Sequence, residues 1–268
     1  MRKHPPEPRY FVQSLARGLH VLQALAAAGE PQTLSEIAKA AGVTVSSAHR
    51  LLFTLEALGY VEKDDATRAF RLAPNVLGLG FAYFRSANLW QVAHPYLVEA
   101  SRDHGETFNL AVLDRGDILY IDRVKTRRIL SINLEIGSKL PAYCTSMGRV
   151  LLAHLPEKEA REILAGSRME RFTERTVTDP ERVMEILRAV RARGFAVNDG
   201  ELAVELRSVA APVRDAGGRV VAAVNMAVHA SEYSREDAEL RLAPVVMGVA
   251  GRISRALGYR EGATGARR

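Results

Sequence analysis

Apolar positions recur at steps of three and four over residues 14–58, alternate with polar ones over 60–72, and switch between the two spacings through the rest of the chain. Leu15, Leu19, Leu22 and Leu25 or Ala26 form one stripe and predict a helix from Ser14 to Ala28, stopped by Gly29. Thr33-Leu34-Ser35-Glu36 is a capping box that opens a second helix, burying Leu34, Ile37, Ala38 and Ala41. Gly42 follows, and Thr44-Val45-Ser46-Ser47-Ala48-His49-Arg50 starts a third helix at once. That helix is expected to bury Ala48, Leu51 or Leu52, Leu55 and Leu58, and to end at Gly59. Two helices joined by a tight Gly-containing turn have the form of a helix-turn-helix. Tyr60–Lys63 and Ala69–Leu72 flank the polar tip 64–68 and predict a hairpin. Three helices and a hairpin make a winged helix-turn-helix, placed at 10–73.

Residues 76–84 are apolar nearly all round, so the connecting helix predicted over 74–90 needs cover on several sides, as a dimer seam would give. Trp90 to His104 continues as a helix, broken or bent at Pro95. Strand spacing then begins. Phe108–Leu113 and Ile118–Val124 flank the turn Asp114–Asp117, and Ile129–Leu134 is expected as a third strand. Helices are expected at Val150–Leu155, Pro156–Ala165 and Asp179–Arg193, strands at Phe195–Asn198, Leu206–Arg214 and Arg219–His229, and a closing helix at Ser234–Leu257. The order predicts an α+β domain over 91–259, with a largely antiparallel sheet flanked by helices. Residues 1–9 and 260–268 are expected to be flexible tails.

With 268 residues the chain has room for two domains. It lacks an apolar run long enough for a transmembrane helix, and its polar, Pro-rich start is unlike a signal peptide. The single cysteine, Cys144, rules out a disulfide within the chain and suits a reducing cytoplasm. The net charge of +6 says little about nucleic acid. Residues 1–72 carry a surplus of only +2, residues 252–268 a surplus of +4, and the middle balances. Any affinity for DNA therefore depends on particular side chains.

Thr44, Ser46, Ser47, His49 and Arg50 open the third helix, where hydroxyls reach bases or phosphates and an arginine can grip guanine with two bonds. Capping is the alternative for the two serines, and a phosphate contact or ion pair the alternative for Arg50. Lys63, Arg68 and Arg71 on the hairpin are expected to contact phosphates, which position without specifying. Thr33 and Ser35 are further backbone-contact candidates, although Thr33 also serves as a plain cap. Cys144 invites an enzymatic reading, but no His partner accompanies it, and a buried structural thiol is expected. His94, His104, His154 and His229 show no metal-ligand spacing. No catalytic residue, metal or cofactor is expected.

The segments Leu34–Ala38, Ser46–Leu52 and Leu58–Val61, together with Gly194-Phe195 and Leu206–Val213, resemble the IclR family of bacterial transcriptional regulators. Thr126–Ile129 and Leu140–Ala153 are similar to its subgroup that controls aromatic-acid catabolism through the β-ketoadipate pathway, the PcaR, PcaU and PobR regulators. The resemblance implies a GAF-like effector domain and a homodimer or tetramer. It implies an activator that binds double-stranded operator DNA and works with RNA polymerase. It also implies a small aromatic or dicarboxylic effector: 4-hydroxybenzoate, protocatechuate or β-ketoadipate. It places the effector carboxylate at Thr145, Ser146, Met147 and Gly148, just before a helix, where free N–H groups favour an anion. A plain helix cap is the alternative there. The facing wall would hold Asn198, Ser208, Asn225 and Ala227, where glyoxylate-type members carry Asp, Cys, Ser and Ser. Phe108, Tyr143 and Met226 are candidates to pack a ring, or are ordinary core. Arg149 is a candidate for a second carboxylate. The alternatives are a repressor answering a non-aromatic acid, an enzyme using Cys144, and a protein-binding scaffold.

Overall fold

The computed structural model describes residues 10–79, 89–126 and 134–260. It divides into two compact units, Arg2–Ala87 and Asn88 onward.

The N-terminal unit starts with α1 (Gln13–Ala28), ended by Gly29 at φ +71°. α2 (Leu34–Ala40) has its capping box complete: Thr33 N–H donates to Glu36 Oε2 at 2.8 Å, and Glu36 N–H donates to Thr33 Oγ1 at 3.4 Å. α3 (Val45–Ala57) follows directly. Val21, Leu25, Ile37, Leu52, Val61 and Phe70 form the core, with Leu22, Leu34, Leu51 and Leu55 at its edge. The predicted α1 stripe is therefore shifted. Leu15 and Leu19 are 63% and 51% exposed, and Val21 occupies the centre in their place. Gly18 faces Leu51 at that turn, with room for a Cβ at ordinary contact distance. Leu58, also expected inside, is exposed. β1 (Val61–Lys63) pairs with β2 (Phe70–Leu72), and Gln32 adds a bridge to Phe70. Asp64 Oδ1 accepts from the N–H groups of Ala66 and Thr67 and sets the hairpin tip.

The connecting helix predicted at 74–90 is helical over 75–79, and its residues 80–88 lie outside the described residues. The C-terminal unit opens with α4 (Leu89–His104), which runs unbroken through Pro95. β3 (Thr107–Asp114) and β4 (Asp117–Val124) form the expected hairpin, with Arg115 at φ +61° in its turn. Most of the expected third strand, 129–133, lies outside the described residues; among the described residues the strand that pairs with the outer side of β4 is β5 (Lys139–Pro141). α5 (Ser146–Ala153), α6 (Glu157–Gly166), α7 (Pro180–Arg193), β6 (Ala196–Asp199), β7 (Leu206–Arg214) and β8 (Val220–His229) complete the sheet and its cover. The strand order is β5-β4-β3-β8-β7-β6, antiparallel throughout. The predicted closing helix is in three parts: a turn at Arg235–Asp237, a π-helical turn at Ala238–Leu242, and α8 (Ala243–Ala256). Pro244 has no N–H for the carbonyl four residues back, so regular α spacing is broken there.

α5, α6 and α7 share one core with Ile118, Tyr120, Ala196, Ala210 and Ala223 of the sheet. α4 and α8 pack on the sheet and on each other. This is the α+β arrangement expected of the chain.

Candidate functional site

Two surfaces bear on function. In the N-terminal unit, Gly42 at φ +65° ends α2 and aims α3 away from it. Ala48 and Leu52 anchor α3 in the core, which leaves Ser46, His49 and Arg50 exposed. Thr44 is the N-cap: its Oγ1 accepts from Ser47 N–H at 3.2 Å and donates to Ser47 Oγ at 2.9 Å. Thr44 and Ser47 thus spend hydrogen bonds on each other, while Ser46 points outward. Thr33 is likewise engaged as the α2 cap, and Ser35 is exposed beside it. On the hairpin, Arg71 is tied to Glu62 across the strands at 3.0 Å, and Lys63 lies over the Phe70 ring at 5.9 Å. Arg68 stands at the tip with φ +57°, and among the described residues no carboxylate pairs with it or with Arg50.

In the C-terminal unit, a small cavity lies where the start of α5 meets the sheet. Asn109 (β3), Tyr120 and Arg123 (β4), Thr145 and Ser146 (α5 start), Asn198 (β6), Ser208 (β7), and Asn225 and Ala227 (β8) line it, with Leu134, Leu202 and Leu206. The register assembles these residues. Asn109 faces both Arg123 and Asn225 across its two neighbouring strands, and Ser208 faces both Asn198 and Ala227. Asn109 Nδ2 donates to Asn225 Oδ1 at 2.8 Å, and the Ser146 and Ser208 hydroxyls meet at 2.8 Å. Asn198 binds the Cys144 carbonyl and accepts from Glu201 N–H, which fastens the loop after β6 to the approach to α5. The cavity measures about 30 Å³, room for one water rather than a ring.

Residues 14–65 match the IclR helix-turn-helix domain, and residues 81–255 match the C-terminal domain of the bacterial transcriptional regulator IclR. The chain belongs to the IclR family of bacterial transcriptional regulators. It is 41% identical over 238 residues to the Pca regulon regulatory protein of Pseudomonas putida, a match covering 88% of this chain and 81% of the relative. It is 32% identical to the transcriptional repressor IclR of Escherichia coli K12, covering 80% and 79% of the two chains. The crystal structure of an IclR homologue from Microbacterium hydrocarbonoxydans in complex with 4-hydroxybenzoate superposes with TM-score 0.79. It has 27% identity over 91% of this chain and 98% of that one.

In this IclR-family regulator the expected effector residues divide. Thr145, Ser146, Asn198, Ser208, Asn225 and Ala227 share the cavity lining; Phe108, Tyr143, Met147 and Gly148 do not. Phe108 is fully buried, 6.3 Å from the His104 ring. Tyr143 donates its hydroxyl to the Glu170 carbonyl, and burial raises its pKa. Met147 and Met226 are core. A Cβ on Gly148 would lie 2.2 Å from the Ala142 carbonyl oxygen, so glycine is needed there for close approach of two backbones. Thr145 Oγ1 caps α5 by accepting from Gly148 N–H at 3.2 Å.

Arg149 is unavailable to a ligand. It is buried and grips Glu201 with two bonds, one of 2.7 Å, while its Nε donates to the Tyr143 carbonyl at 2.9 Å. The Cys144 thiol is buried, contacts the Pro141 carbonyl, and is pushed up to about 12 by loss of hydration. No group of three or more metal-ligating side chains occurs among the described residues. Nor is any helix among them long and apolar enough to cross a membrane.

Sequence reasoning missed Asn109, Tyr120, Arg123, Leu134, Leu202 and Leu206. Two asparagines, Asn109 and Asn225, in the middle of otherwise apolar strands were the available signal, because a buried amide needs partners that only a neighbour or a lined cavity supplies.

Proposed function

We propose that this regulator switches genes of aromatic-acid breakdown when a small carboxylic acid occupies the cavity at the start of α5. The reader is residues 10–73, with Ser46, His49 and Arg50 on bases and Arg68 on phosphate. The connecting helix is 74–90, and the effector domain is 91–259. The observation that carries the effector assignment is the lining itself. Hydroxyls and amides from five strands and a helix start converge there, and no acidic side chain is among the described lining residues. The similarity to the Pseudomonas Pca regulon regulatory protein supports the target genes, and the Microbacterium homologue with 4-hydroxybenzoate supports an aromatic or dicarboxylic acid. The cavity opens to admit such a molecule, since a ring exceeds the present volume severalfold.

The protein acts in the cytoplasm as a homodimer or tetramer on paired half-sites, and as an activator that contacts RNA polymerase. The second reading, a repressor, draws on the 32% identity to the Escherichia coli repressor. Fluorescence anisotropy with the DNA upstream of its own gene tests the proposal. Specific, steeply salt-dependent binding that 4-hydroxybenzoate, protocatechuate or β-ketoadipate alters is expected. Binding indifferent to sequence, or to every such acid, would overturn it. A reporter fused to the same DNA separates the two signs: signal rising with intact protein and acid means activation.

A further inference from the structure

The leading edge of α3 offers less hydrogen-bonding capacity than its residues suggest. Thr44 is exposed, but its hydroxyl turns in along the helix: it accepts from Ser47 N–H at 3.2 Å and donates to Ser47 Oγ at 2.9 Å. A threonine hydroxyl has one proton to give, and here it is given within the turn. What Thr44 has left to offer outward is its Cγ2 methyl. Val45, the next residue, is 50% exposed. A β-branched side chain is not favoured in a helix, and Val45 takes no part in the core around Val21, Ile37 and Leu52. Nor does it extend the apolar groove between α1 and α3, which Leu15, Leu19, Phe53 and Leu58 line and Val45 does not. It stands instead beside Ser46 and one turn before His49, both exposed residues of the reader. Two adjacent residues thus bring methyl groups to the place where a reading helix meets base edges.

The floor of the major groove is almost wholly polar. Its one apolar group is the C5-methyl of thymine, and threonine methyls and other apolar side chains are the groups that pack on it. Against any other base edge, Val45 would displace water from donors and acceptors and return no hydrogen bond, which costs affinity. Against a thymine methyl it loses nothing and removes apolar surface from water.

We propose that Thr44 and Val45 form an apolar lip that reads the C5-methyl group of one thymine in the operator. This inference rests on the assignment of α3 as the DNA reader. It adds a base recognised by its methyl group to those reached by the polar Ser46, His49 and Arg50.

Fluorescence anisotropy of the full-length protein tests it, on the shortest duplex from upstream of its own gene that is bound specifically. Each thymine is replaced in turn by deoxyuridine, which removes the methyl and keeps the base pair. Wild type is expected to lose about fourfold in affinity at one thymine of the half-site, the worth of one methyl taken out of water. At that position a 5-methylcytosine·guanine pair should bind better than cytosine·guanine by a similar factor. Val45→Ala should bind the thymine and uracil duplexes alike, with unchanged thermal unfolding and its discrimination at other positions intact. Val45→Thr, which keeps a methyl there, should retain part of the preference. Indifference of wild type to uracil at every thymine overturns the proposal, as does an undiminished thymine preference in Val45→Ala. Uniform weakening of Val45→Ala on all duplexes, with the thymine preference intact, makes Val45 part of the helix start alone and overturns it too. If Val45→Ala does not fold, Val45→Thr and the two wild-type comparisons decide on the same terms. Specific binding without any methyl effect leaves α3 as the reader and removes Val45 from it. No specific binding of any duplex removes both.

Discussion

Cys144 sits just before the first turn of α5, a position where a helix start commonly lowers the pKa of a thiol. Here burial outweighs that field and pushes the thiol up to about 12. At pH 8 about one thiol in ten thousand is then ionised, and only the thiolate is nucleophilic. Native protein should therefore be alkylated by iodoacetamide very slowly at pH 8, with a rate that climbs about tenfold per pH unit up to pH 10. The urea-unfolded chain should react at the rate of an ordinary cysteine. Fast stoichiometric labelling of the native protein at pH 7 would show an exposed, activated thiol and revive the enzymatic reading. The inert thiol was legible in the sequence from its lack of a His partner. The engagement of Arg149 was not, because Glu201 is far away in sequence and the pair forms only once the loop after β6 has folded back over α5. Arg123 stayed hidden for the same reason. A strand position shows that a side chain faces one side of a sheet, not that the space there lacks an acid.

Secondary structure was the most legible level, because capping and turn residues act locally. Thr33 with Glu36, Thr44, Gly42 and Asp179 each sit where the spacing put a helix end. The face that an element buries was harder to read. α1 offers two overlapping apolar stripes, and the choice between Leu19 and Val21 falls to which face meets the core of Ile37 and Leu52, a tertiary matter. On α3 and its hairpin the structure divides residues that composition treats alike. Arg50 and Arg71 are both exposed arginines, yet Arg71 already holds Glu62 at 3.0 Å, and Arg50 holds no acid among the described residues. Arg50→Ala should weaken operator binding by about 1–3 kcal/mol, with relaxed discrimination at one base pair. Arg71→Ala should cost less and act equally on all sequences, since a surface pair contributes about 0–1 kcal/mol and a phosphate contact carries no sequence information. Anisotropy on a set of singly substituted operators reads both. A uniform loss for Arg50→Ala would make it a phosphate contact and pass base reading to Ser46 and His49.

At the scale of the whole molecule the two units have separate cores, one around Val21, Ile37 and Leu52 and one around Met147, Val150 and Leu187. An effector in the cavity contributes its binding free energy to the second core first, about 2.7 kcal/mol at a hundredfold excess over Kd. It can change operator affinity only if it binds the arrangements of the reader unequally, and the coupling is then reciprocal. Hydrogen exchange read by mass spectrometry follows this element by element. Saturating 4-hydroxybenzoate should slow exchange in β3, β8 and α5, whose backbones carry Asn109, Asn225 and Ser146. Exchange in α2 and α3 should stay unchanged in the absence of DNA if coupling works by selecting how two readers are spaced. It should slow there if effector binding stiffens the reader itself. The two outcomes predict different truncations: in the first case the isolated reader, 10–73, keeps specific but weak half-site binding that no acid alters. In the second it loses the part of its affinity that order in α3 supplies. No change in β3, β8 or α5 under saturating acid would place the effector elsewhere and end the assignment of the cavity.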